Sequence, residues 1–216
     1  MLELKNKTVM NIDPRDTIFG DQSLAYWTAA DCNEIPWSLF KEAKENIEVE
    51  NIDAAIVTLK NIISTPALES RHYLQAHYFL NELGEAPSGK IKIYGVVVEI
   101  SMPEGVDLLA VYADRSARYY NYSGSVVIWE HPDNSLDELI DTIMKQAIEI
   151  VACIGPWKGK RPAAPGKDMA RISMLTSHGL HFGEAKQSVL FNDALAGKTL
   201  YAMAEVMQAL VNKSGN

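Results

Sequence analysis

Two short stretches concentrate the side chains that could do chemistry near neutral pH. TSHGLHFGE, residues 176–184, sets His178 and His181 around Gly179 and just before Glu184. Histidine titrates in this range without any help from its surroundings, so the pair could bind a metal or supply a general base. Histidines three apart share a metal when a helix puts both rings on one face. Here Gly179 and the flanking apolar residues predict a hairpin instead, where positions three apart point to opposite faces. The rings then diverge, and no metal site is expected. His181 alone stays as a catalytic candidate, lining a cleft while Leu180 and Phe182 face the core. The plainer alternative is a solvated turn histidine, His178, beside a satisfied sheet histidine.

The second stretch, GPWKGKRPAAPGKD at 155–168, carries Lys158, Lys160, Arg161 and Lys167 beside Trp157. Long loops without internal structure are uncommon in compact domains and are often functional. With Trp157 as anchor, Lys160 and Arg161 could receive a small anionic ligand or an acidic partner surface. The same loop also reads as a rigid crossover, its three prolines lowering the entropy of the unfolded chain. A third cluster, ADRSARYYNYSG at 113–124, offers Arg115, Arg118, Tyr120 and Tyr122 for a polar ligand. Its alternative is ordinary too: Arg and Tyr line the wet face of an antiparallel sheet, with Ala117, Tyr119 and Asn121 on one face and Arg118, Tyr120 and Tyr122 on the other.

Whatever these groups bind, the chain as a whole is acidic. Its 20 Lys and Arg against 28 Asp and Glu leave a net charge of −8, which argues against a nucleic-acid binder needing a basic face. No apolar run approaches a membrane span, and MLELKNKTVMNID lacks the apolar stretch of a signal peptide, so a cytoplasmic location is expected. Cys32 and Cys153 form no CxxC, and Cys153 falls in an apolar helical run, so a buried reduced thiol is expected there. Phosphate-loop, dinucleotide, nucleophile-elbow and HExxH patterns are missing. Ser38-Leu39-Phe40-Lys41 matches SxxK by itself, with no KTG to accompany it. No cofactor is expected.

The elements that must position these groups read as α+β. Residues 1–36 form an N-terminal arm with Phe19, Tyr26 and Trp27. Residues 37–84 read as a helical hairpin: Asn51 caps a helix carrying Ile52, Ala55, Ile56, Leu59 and Ile63. Thr65 and Pro66 open the next, with Tyr73, Ala76, Leu80 and Leu83 on one stripe and Gly84 as its stop. Residues 91–213 form an α+β domain, either distinct from the helical segment or continuous with it in one globule. Its order is four strands, a helix, two strands and a helix, which gives an antiparallel sheet of about six strands with helices packed on one face. Asn134 or Ser135 caps the first of those helices, and the last stops near Gly215. Hairpin-plus-helix occurs at 108–154 and again at 170–212, suggesting a distant internal repeat.

The stretches VYADRSARYYNYSGSVVIWE and IGPWKGKRPAAPGKDMARISMLTSHGLHFGE resemble a group of uncharacterised bacterial proteins, over about residues 70–212. That resemblance implies a bacterial origin and carries no catalytic role onto any residue. The function expected from these readings is a non-catalytic binding or interaction module, acting as a homodimer. The alternative is a small-molecule hydrolase or transferase on an anionic substrate, with a histidine base.

Overall fold

A computed structural model of the chain describes residues 13–29 and 32–214. In chain order its helices are α1 (Pro14–Ile18), α2 (Leu24–Trp27), α3 (Trp37–Glu48), α4 (Ile52–Ser64), α5 (Ser70–Glu82), α6 (Asp137–Val151), α7 (Gln187–Leu190) and α8 (Ala196–Ser214). Its strands are β1 (Ile93–Met102), β2 (Gly105–Tyr112), β3 (Ala117–Tyr120), β4 (Val126–Trp129), β5 (Met169–Thr176) and β6 (Gly179–Lys186). All six strands pair antiparallel in one sheet of order β4-β3-β2-β1-β5-β6. The α+β class and the succession of strands and helices are those the sequence pattern implies. The first four strands meander, and the β5–β6 hairpin then adds to the free side of β1.

One face carries α6 and α8, as expected. Val96, Val98, Leu109, Val111, Tyr119, Ile172 and Met174 pack there against Ile140, Ile143, Ala147, Leu200, Met203 and Val206. The helical segment does more than precede the sheet: α1 and α5 cover the opposite face. Ile18, Phe19 and Leu74 bury against Val97, Leu108, Ala110, Tyr112 and Leu175. The middle of β1 is thus enclosed on both sides, which is why Val96, Val97 and Val98 follow one another without a polar residue. It also explains why Arg118, expected on a wet face, is 7% exposed.

The expected helical hairpin is three helices. Trp37–Glu48 forms a full helix whose Phe40 and Ala43 bury against Leu59, Ile62, Ala76 and Phe79. Thr65 and Pro66 open a turn, with Ala67 in the left-handed region at φ 58°, and α5 starts only at Ser70. Its end follows the expected glycine stop. Gly84 takes φ 81°, its N–H reaches Asn81 O at 3.0 Å, and the Glu85 N–H reaches Leu80 O at 2.9 Å. Neither expected cap serves α6: its N-cap is Leu136, with no side-chain cap hydrogen bond, and Asn134 and Ser135 lie in the turn before it, where Asp133 Oδ1 accepts the Ser135 N–H at 2.8 Å. Its end at Val151 leaves Cys153 in the following turn, where the thiol is exposed rather than buried. The expected stop at Gly215 and residues 1–12 of the arm lie outside the described residues. No helix among the described residues is long and apolar enough to cross a membrane.

Candidate functional site

The loop after α6 crosses back over the sheet because two half-buried arginines hold it there. Arg161 donates from Nη2 to Asp16 Oδ1 at 2.6 Å and from Nε to Asp21 Oδ2 at 2.7 Å. Its guanidinium lies 4.7 Å from the centroid of the Phe19 ring. Burial opposes the charge on Arg161, but the two carboxylates outweigh it and hold its pKa above the ordinary value. Arg15 spans the other direction, donating to Pro162 O at 2.8 Å and to Glu99 Oε1 at 2.7 Å. Glu99 is wholly enclosed and also accepts from Arg171 Nη1 at 3.2 Å, while Arg171 binds Glu184 through Nε and Nη2. A chain of alternating charges therefore ties α1, β1, β5, β6 and the loop together. Buried charges persist when paired in this way.

Between these tied parts a cleft of about 720 Å³ opens. One wall is α5, through His77, Tyr78, Asn81 and Glu82; another is the bend Phe19–Ser23 after α1. The loop supplies Trp157, Lys160 and Arg161, and the β5–β6 turn supplies Ser177 and His178. A volume of this size is typical of small-molecule sites.

Trp157 is fixed in place although its side is open. Its backbone N–H donates to Leu180 O at 2.6 Å, and its indole N–H to Lys160 O at 3.0 Å. The ring meets Phe182 edge-on at 5.2 Å and is still 49% exposed. Gly159 permits the turn, since a Cβ there would stand 3.2 Å from the indole nitrogen. The result is an apolar ring surface whose polar atom is already satisfied.

At the turn, Ser177 Oγ accepts the Lys92 N–H at 3.0 Å and lies 3.0 Å from His178 Nδ1. The hydroxyl has a second lone pair as well as its own proton, so the Ser177–His178 contact serves either tautomer of the ring. Across the cleft, His77 Nε2 lies 3.3 Å from the Tyr94 hydroxyl. Burial, then the neighbouring His178 and Lys92, pushes His77 down to about 4, so this ring is neutral at pH 7. Burial pushes the Tyr94 phenol up to about 12. Burial and the nearby Glu82 and Asp21 also raise Tyr78, so both phenols keep their protons.

Of the residues singled out from sequence, Trp157, Lys160, Arg161 and His178 meet in this cleft. His181 does not. Its register partner is Met174, on the α6–α8 face, and it is fully buried with its Nδ1 3.4 Å from Gly179 O. Leu180 and Phe182, not His181, turn toward the cleft side, the reverse of the expected alternation. Burial lowers the His181 pKa. Arg115, Arg118, Tyr120 and Tyr122 sit strands away. Arg115 bridges Asp137 and Asp141, Arg118 binds Glu130, Tyr120 approaches Thr17, and Tyr122 stands open. Among the described residues no three His, Cys, Asp or Glu side chains converge as a metal set.

The sequence reading missed α5. Leu74, His77, Tyr78 and Asn81 all line the cleft, and their i, i+3, i+4, i+7 spacing marks a second stripe beside the apolar one. Compared with protein-family models, characterised proteins and solved structures, the chain matches none.

Proposed function

We propose that the protein is a non-catalytic binding module that holds a small polar molecule in the cleft between α5, the β5–β6 turn and the 155–161 loop. The observation that carries this reading is the fixed, half-open Trp157 facing a cleft whose walls, its own loop included, come from four separate parts of the chain. Ligand sites combine such an apolar surface with a few polar groups that set orientation. A His181-based hydrolase or transferase draws less support, because a general base must come within hydrogen-bond reach of its substrate and His181 is enclosed on the far face.

A homodimer in the bacterial cytoplasm belongs to the same proposal. What favours a second copy is β4, a sheet edge on which Val126 and Ile128 are exposed. Light scattering at micromolar concentration checks it; a strict monomer would remove this part and leave the cleft untouched.

The test of the binding reading is a melting-temperature screen of small polar metabolites, followed by proton NMR of each hit incubated with the protein. A binder present at about a hundred times its Kd should stabilise by about 2.7 kcal/mol, or about 5–10 °C for a chain of this size, and be recovered unchanged. Conversion of the hit to a product would overturn the non-catalytic part.

A further inference from the structure

We infer that the ligand of this cleft is an uncharged, hydroxyl-bearing ring, a sugar, seated against Trp157 with its hydroxyls turned to α5. The inference rests on the binding reading above and names its ligand class.

Charge comes first. Lys160 and Arg161 on the lining are matched by Asp21 and Glu82. Arg161 is already held by two carboxylates, so it has little to give an incoming anion. The Lys160 ammonium makes no ion pair among the described residues, but neither does the Glu82 carboxylate, which lines the same cleft and opposes an anion there. The basic loop that looked like an anion receptor in the sequence has spent its arginine on holding α1. A neutral ligand escapes this repulsion.

The polar groups left over are of mixed kind. Among the described residues, the Asn81 amide, the Glu82 carboxylate and the Tyr78 hydroxyl have no hydrogen-bond partner. His178 Nε2 is likewise without one among the described residues. Asn81 and Tyr78 can both give and take, Glu82 takes, Lys160 gives, and His178 Nε2 gives or takes with its tautomer. A phosphate or carboxylate ligand is matched by donors alone. A hydroxyl both gives and takes, and a row of them suits this alternation. Asn81 and Glu82 are exposed on α5, so such contacts exchange water for ligand without uncovering the core.

Ring stacking supplies the rest. The indole of Trp157 offers its apolar surface with its N–H already spent on Lys160 O, so nothing polar on it competes with the C–H face of a sugar ring. A tryptophan fixed before binding loses little side-chain entropy on contact.

The test uses the full chain with its four tryptophans replaced by fluorotryptophan, the Trp157 signal being assigned through Trp157→Phe. Fluorine NMR then follows titrations with glucose, galactose, N-acetylglucosamine and maltose, alongside pyrophosphate, citrate and adenine. The expected result is a saturable shift of the Trp157 signal with at least one sugar. Asn81→Ala and Glu82→Ala, both exposed changes on α5, should each weaken that sugar about tenfold, as should Trp157→Ala read by calorimetry. Arg115→Ala, strands away from the cleft, should leave its affinity within about twofold. If pyrophosphate, citrate or adenine moves the Trp157 signal and no sugar does, the sugar inference is overturned while the cleft remains a ligand site. If no molecule of any class moves it, both readings fail.

Discussion

Replacing Glu99 by glutamine tests whether the buried charges build the cleft. Glu99 is 0% exposed and sits between Arg15 Nε at 2.7 Å and Arg171 Nη1 at 3.2 Å. Glu99→Gln keeps the shape, removes the charge and points an amide N–H₂ at one of the two guanidinium groups. Removing one partner of a buried pair costs about 3–5 kcal/mol. Arg171 keeps Glu184 and Arg15 keeps Pro162 O, so the lower end, about 3 kcal/mol, is expected. For a chain of this size that is a fall of about 6–12 °C in Tm. Urea unfolding followed by circular dichroism gives the free energy. Limited proteolysis should show new cleavage within residues 13–28, because α1 loses its tether to the sheet. The cycle Glu99→Gln, Arg15→Gln and the double variant should couple by about 1 kcal/mol or more. A loss below about 0.5 kcal/mol, within the range of an ordinary surface substitution, would refute the reasoning: the charges would be solvated and α1 held by its apolar residues alone.

Gly20→Ala should destabilise by about 2–3 kcal/mol in urea, because Gly20 has φ +66° and its new Cβ would stand 2.7 Å from Leu74 Cβ; an unchanged midpoint would mean the bend is free to move. Stability should be full above pH 6.5, the ordinary value for His77, and decline as pH falls from there toward 4, where burial holds the folded-state group. In that window the unfolded chain takes up a proton the folded one refuses, and His77→Asn should flatten this part of the profile in melts across buffers. Arg115→Ala should change stability by less than about 1 kcal/mol, since its bridges to Asp137 and Asp141 stand at the surface; a larger loss would show that Arg115 fixes the start of α6.

The fold was largely legible because its signals are local. Asp114–Ser116 and Ser123–Ser125 mark turns between β-branched runs, Gly84 ends a helix by its backbone, and the stripe Ile140, Ile143, Ala147, Ile150 needs just one apolar face. What escaped depended on distant packing. The alternation of LHF at 180–182 is a clean strand pattern, but which parity faces which layer cannot be read when both faces of a sheet are covered. His181 therefore looked like a site residue and is core, while Phe182 looked like core and backs Trp157. The loop at 155–168 was recognised as unusual from its length and prolines. Its charge could not be read from composition, because Arg161 finds Asp16 and Asp21 some 140 residues earlier in the chain. On α5 the lining stripe was hidden by its polarity: His77, Tyr78 and Asn81 look like a solvated helix face until a loop from elsewhere comes to stand opposite.

The most direct measurement is a difference map of amide hydrogen exchange, with and without the best sugar from the titration. Binding in the cleft should slow exchange in four separate segments, 18–23, 74–84, 155–161 and 175–180, and leave the 105–130 hairpins unchanged. Protection confined to those hairpins, around Arg115, Arg118, Tyr120 and Tyr122, or protection nowhere, would contradict the assignment of the cleft as the binding site.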